Sequence, residues 1–193
     1  MIDEAARHFG ARGSTPEWRQ PLAEFLAERE THLLERRGFR ADEARAVVPG
    51  WWSRPQNVLL RVQALAQARK SPGFETLAVL FKRVKNITKG FEGTLDDAVR
   101  SKLTEPAERA LLAEMDARRP AIDAALAAER YGDAMRELGA LSKPVDQFFV
   151  DVLVMAEDPA LRSARLTLLT ALRRTILDIA DISEIAPDEI KEH

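Results

Sequence analysis

The chain has no cysteine, which excludes disulfides, thiolate zinc sites and cysteine nucleophiles together and fits a reducing compartment. Histidine is almost as scarce. His8, His32 and His193 lie far apart, and none has a ligand partner at helical spacing, so metal binding is not expected. No Gly-rich phosphate loop of the Walker or dinucleotide type occurs, and no Gly-x-Ser-x-Gly elbow. Acids are abundant, but no pair stands out from a solvated surface as a general acid and base. No catalytic residue is therefore predicted. Aromatics make up only 6% of the chain, and no clean run of alternating β-branched residues appears. A composition dominated by alanine and aliphatics predicts an all-α, soluble protein. No apolar run approaches the length of a bilayer span, and the first eight residues lack the apolar core of a signal peptide. A cytoplasmic location with no membrane partner is expected. The formal net charge is -2, so there is no global positive field, and any nucleic-acid binding must come from local Lys and Arg patches.

What is present is helical punctuation. Residues 1–13 are polar and read as the tail of a helix and a turn. Thr15 and Pro16 read as the start of a helix that ends at Gly38. Asp42 caps a short helix over 43–48, which Pro49-Gly50 breaks; another runs from about 56 to 69. Ser71-Pro72-Gly73 is the strongest break and is taken as a domain boundary. A helix over about 74–89 follows, ending at Gly90, and then a loop to 104. Thr104-Glu105-Pro106 opens a long helix that Pro120 kinks or ends. Tyr131-Gly132-Asp133 reads as a turn capped by Asp133, and Ser142-Lys143-Pro144 as a second break. In 145–155, Phe148, Phe149, Val152 and Leu153 are core candidates. Asp158 and Pro159 start the last helix, which runs to about Asp181, and a frayed acidic tail follows from Ile182.

Two of these helices carry chemistry. In the first, at about 100° per residue, Leu77, Leu80, Phe81, Val84 and Ile87 share one side. Lys82, Lys85 and Lys89 gather opposite, with Asn86 among them and Arg83 on the flank. Such a face suits water or an anion. The last helix is apolar around more than half its circumference, yet Arg162, Arg165 and Arg173 project into the apolar arc. An arginine is not buried unpaired. Ion pairing with Asp158, Asp146 or Asp151 is the reading that spacing favours. The other is that these arginines rim a groove and offer a planar fork to phosphate or base. Arg174 points away from the arc and reads as surface. The Trp51-Trp52 pair suits packing of a turn or an interface better than a stacking platform.

The same segments carry a resemblance. Leu80-Phe81-Lys82-Arg83-Val84-Lys85-Asn86-Ile87 resembles the Ala-Asn-Lys-Arg-Val-x-Asn-Ile signature of the bacterial glycyl-tRNA synthetase beta subunit. The stretch from Pro144 to Asp158 is similar to that family's Val-Asp-x-Phe-Phe-x-x-Val-x-Val-Met segment. Leu161-Arg162-Ser163-Ala164-Arg165-Leu166 resembles its Leu-Arg-x-Asn-Arg-Leu, and Ile179-Ala180-Asp181-Ile182-Ser183 its closing Ala-Asp-Ile-Ser. The four come in the family's order, and the likeness is strongest over 74–183. Phe81 and Ala164 stand where the family has Asn, and Val150 and Asp151 alter the Phe-Phe segment; a base edge read by either Asn would be read differently here.

The resemblance implies an all-α helical bundle. Residues 1–70 would be a helical region continuous with the preceding body of the subunit. Residues 71–184 would be a DALR-like anticodon-binding domain, and 185–193 a flexible acidic tail. It implies binding of the tRNA(Gly) anticodon stem-loop, with Lys82, Arg83, Lys85, Asn86, Lys89, Arg162 and Arg165 as contacts. Partners would be the alpha subunit and the rest of beta, with no DNA. ATP and Mg2+ would belong to the alpha subunit, and this part would need no cofactor. The alternatives are a helical scaffold for subunit assembly, docking through Trp18, Trp51 and Trp52, or a stand-alone paralogue binding another RNA.

Overall fold

A computed structural model describes residues 18–51 and 53–186. The expectations placed on residues 1–17, on the side chains of Trp51 and Trp52, and on 187–193 lie outside the described residues. The chain is helical, with no strand among the described residues. In order, the helices are α1 (Arg19–Arg36), α2 (Ala41–Trp51), α3 (Pro55–Ala68), α4 (Phe74–Ile87), α5 (Asp97–Arg100), α6 (Pro106–Ala127), α7 (Tyr131–Gly139), α8 (Ser142–Asp151) and α9 (Pro159–Leu177). A 3-10 turn, Ile182–Glu184, follows α9. No helix among the described residues is long and apolar enough to cross a membrane.

Side-chain caps explain some of the ends. The Asp158 carboxylate accepts the N–H of Ala160 at 2.8 Å, and Pro159 takes the first helical position, where its missing N–H costs nothing. Pro106 does the same for α6, where Glu105 and Glu108 form a reciprocal capping box. Gly38 and Gly73 stand at φ +92° and +83°, the left-handed region in which a Cβ is disfavoured. They let the chain leave α1 and enter α4.

Pro49, Pro120 and Pro144 lie inside helices, and the break expected at 142–144 falls just before those residues, at 140–141. Pro144 sits in the first turn of α8, where N–H groups have no intrahelical partner. Pro49 sits in the last turn of α2, so one hydrogen bond is lost and the helix still reaches Trp51. Pro120 lies inside α6, yet buried Leu111 before it and Ile122 and Ala125 after it hold both halves on one core. Asp133 is not a cap. The reversal before α7 is made by Glu129 at φ 55°, and Tyr131 already lies in the helix, buried, with its hydroxyl on Asn57 Oδ1 at 2.5 Å.

The apolar core is continuous across the turn at 71–73. Val58, Val62 and Leu65 of α3 belong to the same buried cluster as Phe81, Leu111, Leu138, Phe148, Leu168 and Leu172. α3 packs on α7, α6 on α7 and α8, and α4 on α8 and α9. Polar links run the same way. Arg61, buried on α3, donates to Asn57 Oδ1 at 2.9 Å and to the carbonyls of Asp178 and Ile179, closing the C-terminal end of α9. Its guanidinium also lies over the Tyr131 ring, 4.2 Å from the centroid.

The expectation of a frayed tail from Ile182 is corrected for 182–186. Ile182 is fully buried and Ile185 nearly so. The N–H of Asp181 donates to the Ala46 carbonyl at 2.8 Å. The Ala186 N–H donates to Asp42 Oδ2 at 3.1 Å, and its carbonyl accepts from Arg69 at 2.9 Å. Acidic composition suggested solvent, but the two isoleucines and these hydrogen bonds hold the segment down.

Candidate nucleic-acid interface

α4 is fixed through Phe74, Leu77, Ala78, Leu80, Phe81 and Val84, all buried. That anchoring decides what the other side presents. Lys82, Asn86 and Lys89 are exposed, and none has a side-chain partner among the described residues. At helical spacing they form one ridge. Lys85 does not join them. Its Nζ lies 2.7 Å from Asp181 Oδ2 and 2.9 Å from Glu184 Oε1. Burial would lower the Lys85 ammonium, but the hydrogen bonds and charges of the two carboxylates outweigh it and raise its pKa. Lys85 is one helical turn beyond buried Phe81, so it stands at the edge of the face and reaches carboxylates that no helical wheel of α4 contains. Arg83 leaves the ridge on its other side: its guanidinium lies over the Phe149 ring of α8, 4.1 Å from the centroid.

Arg162, Arg165 and Arg173 of α9 turn toward the protein, and Arg174 does not. Arg165 is buried, with Nε donating to Glu108 Oε1 at 2.5 Å and Nη1 to the Leu153 carbonyl at 2.8 Å. Glu108 is fully buried, and its other oxygen accepts the Glu105 N–H at 2.9 Å. Arg162 donates to the Ala156 carbonyl at 3.1 Å. Arg173 donates to the Thr88 carbonyl at 2.7 Å and to Glu92 at 3.0 Å. Arg174, exposed as expected, pairs with Glu92 and donates to the Gly93 carbonyl at 2.9 Å. The buried partner of Arg165 is thus none of Asp146, Asp151 and Asp158. Glu108 carries a sequence signal only as a helix-capping residue, and nothing local connects it to Arg165.

The segment held by Arg162 and Arg165 departs most from expectation. α8 ends at Asp151, and the chain runs on without helix to Asp158. Through it Val152, Val154 and Ala156 face inward, whereas Leu153 and Met155 are 71% and 57% exposed. The chain leaves the helix through an extended Val152 and bends at Val154 and Met155, so buried and exposed side chains alternate. Leu153, expected in the core, is therefore corrected to the surface. Val150, the residue after Phe149, is also exposed. The arrangement is a cationic, amide-bearing ridge on one helix, flanked by an arginine stacked on an aromatic ring. Beside that ring in the chain, a pinned segment turns apolar side chains to solvent. Such groups can meet phosphates and base faces.

The fold that carries this ridge is all-helical among the described residues. The DALR anticodon binding domain family matches residues 78–189, and the chain belongs to that family. Over 184 residues the chain is 36% identical to the glycine–tRNA ligase beta subunit of Vibrio parahaemolyticus serotype O3:K6, covering 95% of this chain and 27% of that protein. The beta subunits of Vibrio campbellii and Aliivibrio fischeri are 37% and 36% identical over the same coverage. The chain thus spans about a quarter (27%) of the length of the curated relatives it matches.

Proposed function

We propose that this chain is the C-terminal, tRNA-gripping part of a glycine–tRNA ligase beta subunit and binds the anticodon stem-loop of tRNA(Gly). Lys82 and Lys89 contact phosphates, and Asn86 offers its amide to an unstacked base. The observation that carries this reading is the anchored ridge of α4, whose three polar side chains have no partner among the described residues. Lys85, Arg162 and Arg165 serve from behind, fixing the elements that present the surface. In the whole enzyme, glycine activation with ATP and Mg2+ falls to the alpha subunit, this part contributing no catalytic group, and charging takes place in the cytoplasm.

The test is binding of the chain to a labelled tRNA(Gly) transcript and to one with a changed anticodon, at two or more salt concentrations. Tighter binding to the correct anticodon is expected. Lys82→Gln and Lys89→Gln should each weaken binding and flatten the log K against log salt slope by about 0.7, the single-strand value per lost contact. Lys85→Gln should lower the melting temperature and leave that slope alone. An unchanged slope and affinity in the Lys82 and Lys89 variants would remove the ridge from the site.

A further inference from the structure

We propose that the non-helical segment 152–156, together with Arg83 stacked on Phe149, is a platform for unstacked nucleobases of the bound RNA loop; this rests on the RNA-binding reading above. Three large apolar side chains crowd into a short stretch with little cover: Val150, Leu153 and Met155 are 72%, 71% and 57% exposed. They are not a loose loop. The Leu153 carbonyl is held by Arg165 and the Ala156 carbonyl by Arg162, while Val152 and Val154 are buried beneath. A buried ion pair is poor material for stability, since desolvation offsets most of its attraction. The Arg165–Glu108 pair has a second effect: it fixes the backbone that points Leu153 and Met155 outward. Ordering of the binding surface is then complete before any ligand arrives.

The chemistry favours RNA as the occupant. Exposed Arg83 has one face of its guanidinium on Phe149 and belongs to the same helix as Lys82, Asn86 and Lys89. Bases in single-stranded loops stack on arginine planes and pack on apolar and aromatic side chains, while their phosphates seek cations. An apolar protein surface would match Leu153 and Met155 but leave unanswered Arg83 and the other cations of α4, the helix that packs on α8.

The experiment uses the 193-residue chain and a tRNA(Gly) transcript carrying 2-aminopurine in its anticodon loop. In the double variant Leu153→Ser, Met155→Ser, both positions are exposed, so the melting temperature should match the parent. Affinity should fall about 10-fold, in the range that loss of one stacked base gives. The salt slope should stay as in the parent, and the 2-aminopurine fluorescence change on binding should shrink. Leu153→Met should bind like the parent. Lys82→Gln should do the reverse of the double variant, flattening the slope and keeping the fluorescence change. If the double variant keeps parental affinity and fluorescence while Lys82→Gln weakens binding, the platform is wrong and the cationic ridge stands. The same double variant losing co-elution with the alpha subunit, with RNA binding intact, also overturns it and makes the segment a protein interface. If neither variant alters binding, or the chain binds no tRNA, the RNA reading falls and the platform with it.

Discussion

At the scale of single residues, the Arg165–Glu108 pair matters most, because it joins stability to the presentation of a surface. Glu108 is fully buried and spends both oxygens, one on Arg165 and one on the Glu105 N–H. Removing Arg165 leaves a buried carboxylate short of its cation, a defect of about 3–5 kcal/mol. Arg165→Met should lose that amount in urea unfolding, and adding Glu108→Leu should recover part of it. The salt slope of RNA binding by the folded fraction should not change, since Arg165 is buried away from the surface. A flattened slope would return Arg165 to the contact set. The sequence exposed half of this. An arginine in an apolar arc had to have a partner, but the carboxylate that serves lies 57 positions away, beyond the neighbouring elements that spacing can address. Lys85 falls on the open face of a helical wheel but not of the fold for the same reason: Asp181 and Glu184 approach α4 only in the folded chain.

At the scale of elements, the closing segment 181–186 is the informative one. It is fastened by Ile182 and Ile185, by Lys85, and by the Asp42–Arg69 pair, whose members hold the backbone of Ala186 from both sides. Burial would raise the Asp42 carboxyl. The hydrogen bonds from Arg69 and the Ala186 N–H, and the charges of Arg69 and Arg40, outweigh it and hold the pKa below its ordinary 3.8. A lowered carboxyl gives stability that is present above its unfolded value and is lost as the pH falls through the folded one. Acid below pH 3.8 should therefore release this segment, seen as faster amide exchange at Ala186. Asp42→Asn should cost about 2 kcal/mol at neutral pH, in the range for charge-assisted hydrogen bonds, and should remove that acid step. An acid step that persists in the variant would place its cause elsewhere. Helix starts were legible where a side chain caps its own helix, as at Asp158. Prolines misled because their effect depends on position in a turn and on what the two flanking stretches bury, as Pro120 illustrates.

At the scale of the molecule, the family match begins within α4, yet the core reaches back to α2 and α3. A chain of residues 71–186 alone would uncover the side of α7 that packs on α3 and would lack Arg61 at the end of α9. Such a truncation should bind ANS and melt without a sharp transition, whereas the full chain melts cooperatively. A sharp melt for the truncation would mean that the two parts fold independently. Ser71-Pro72-Gly73 reads as a boundary in the sequence, where a tight turn and an interdomain link use the same residues. Only the burial of Val58, Val62 and Leu65 against later helices separates the two cases.

The clasp on Lys85 also has a consequence in time. Asp181 lies 96 positions after it. At synthesis rates of ~5–20 residues per second, about 5–20 s pass between the two leaving the ribosomal peptidyl-transferase centre. Until Asp181 and Glu184 have been made, Lys85 lacks the two carboxylates that hold it in the finished fold. A nascent chain halted short of Asp181 carries more bare positive charge in this region than the finished one and holds it less firmly. It should cling to polyanions without choosing among them, and discrimination should arrive with the last turn.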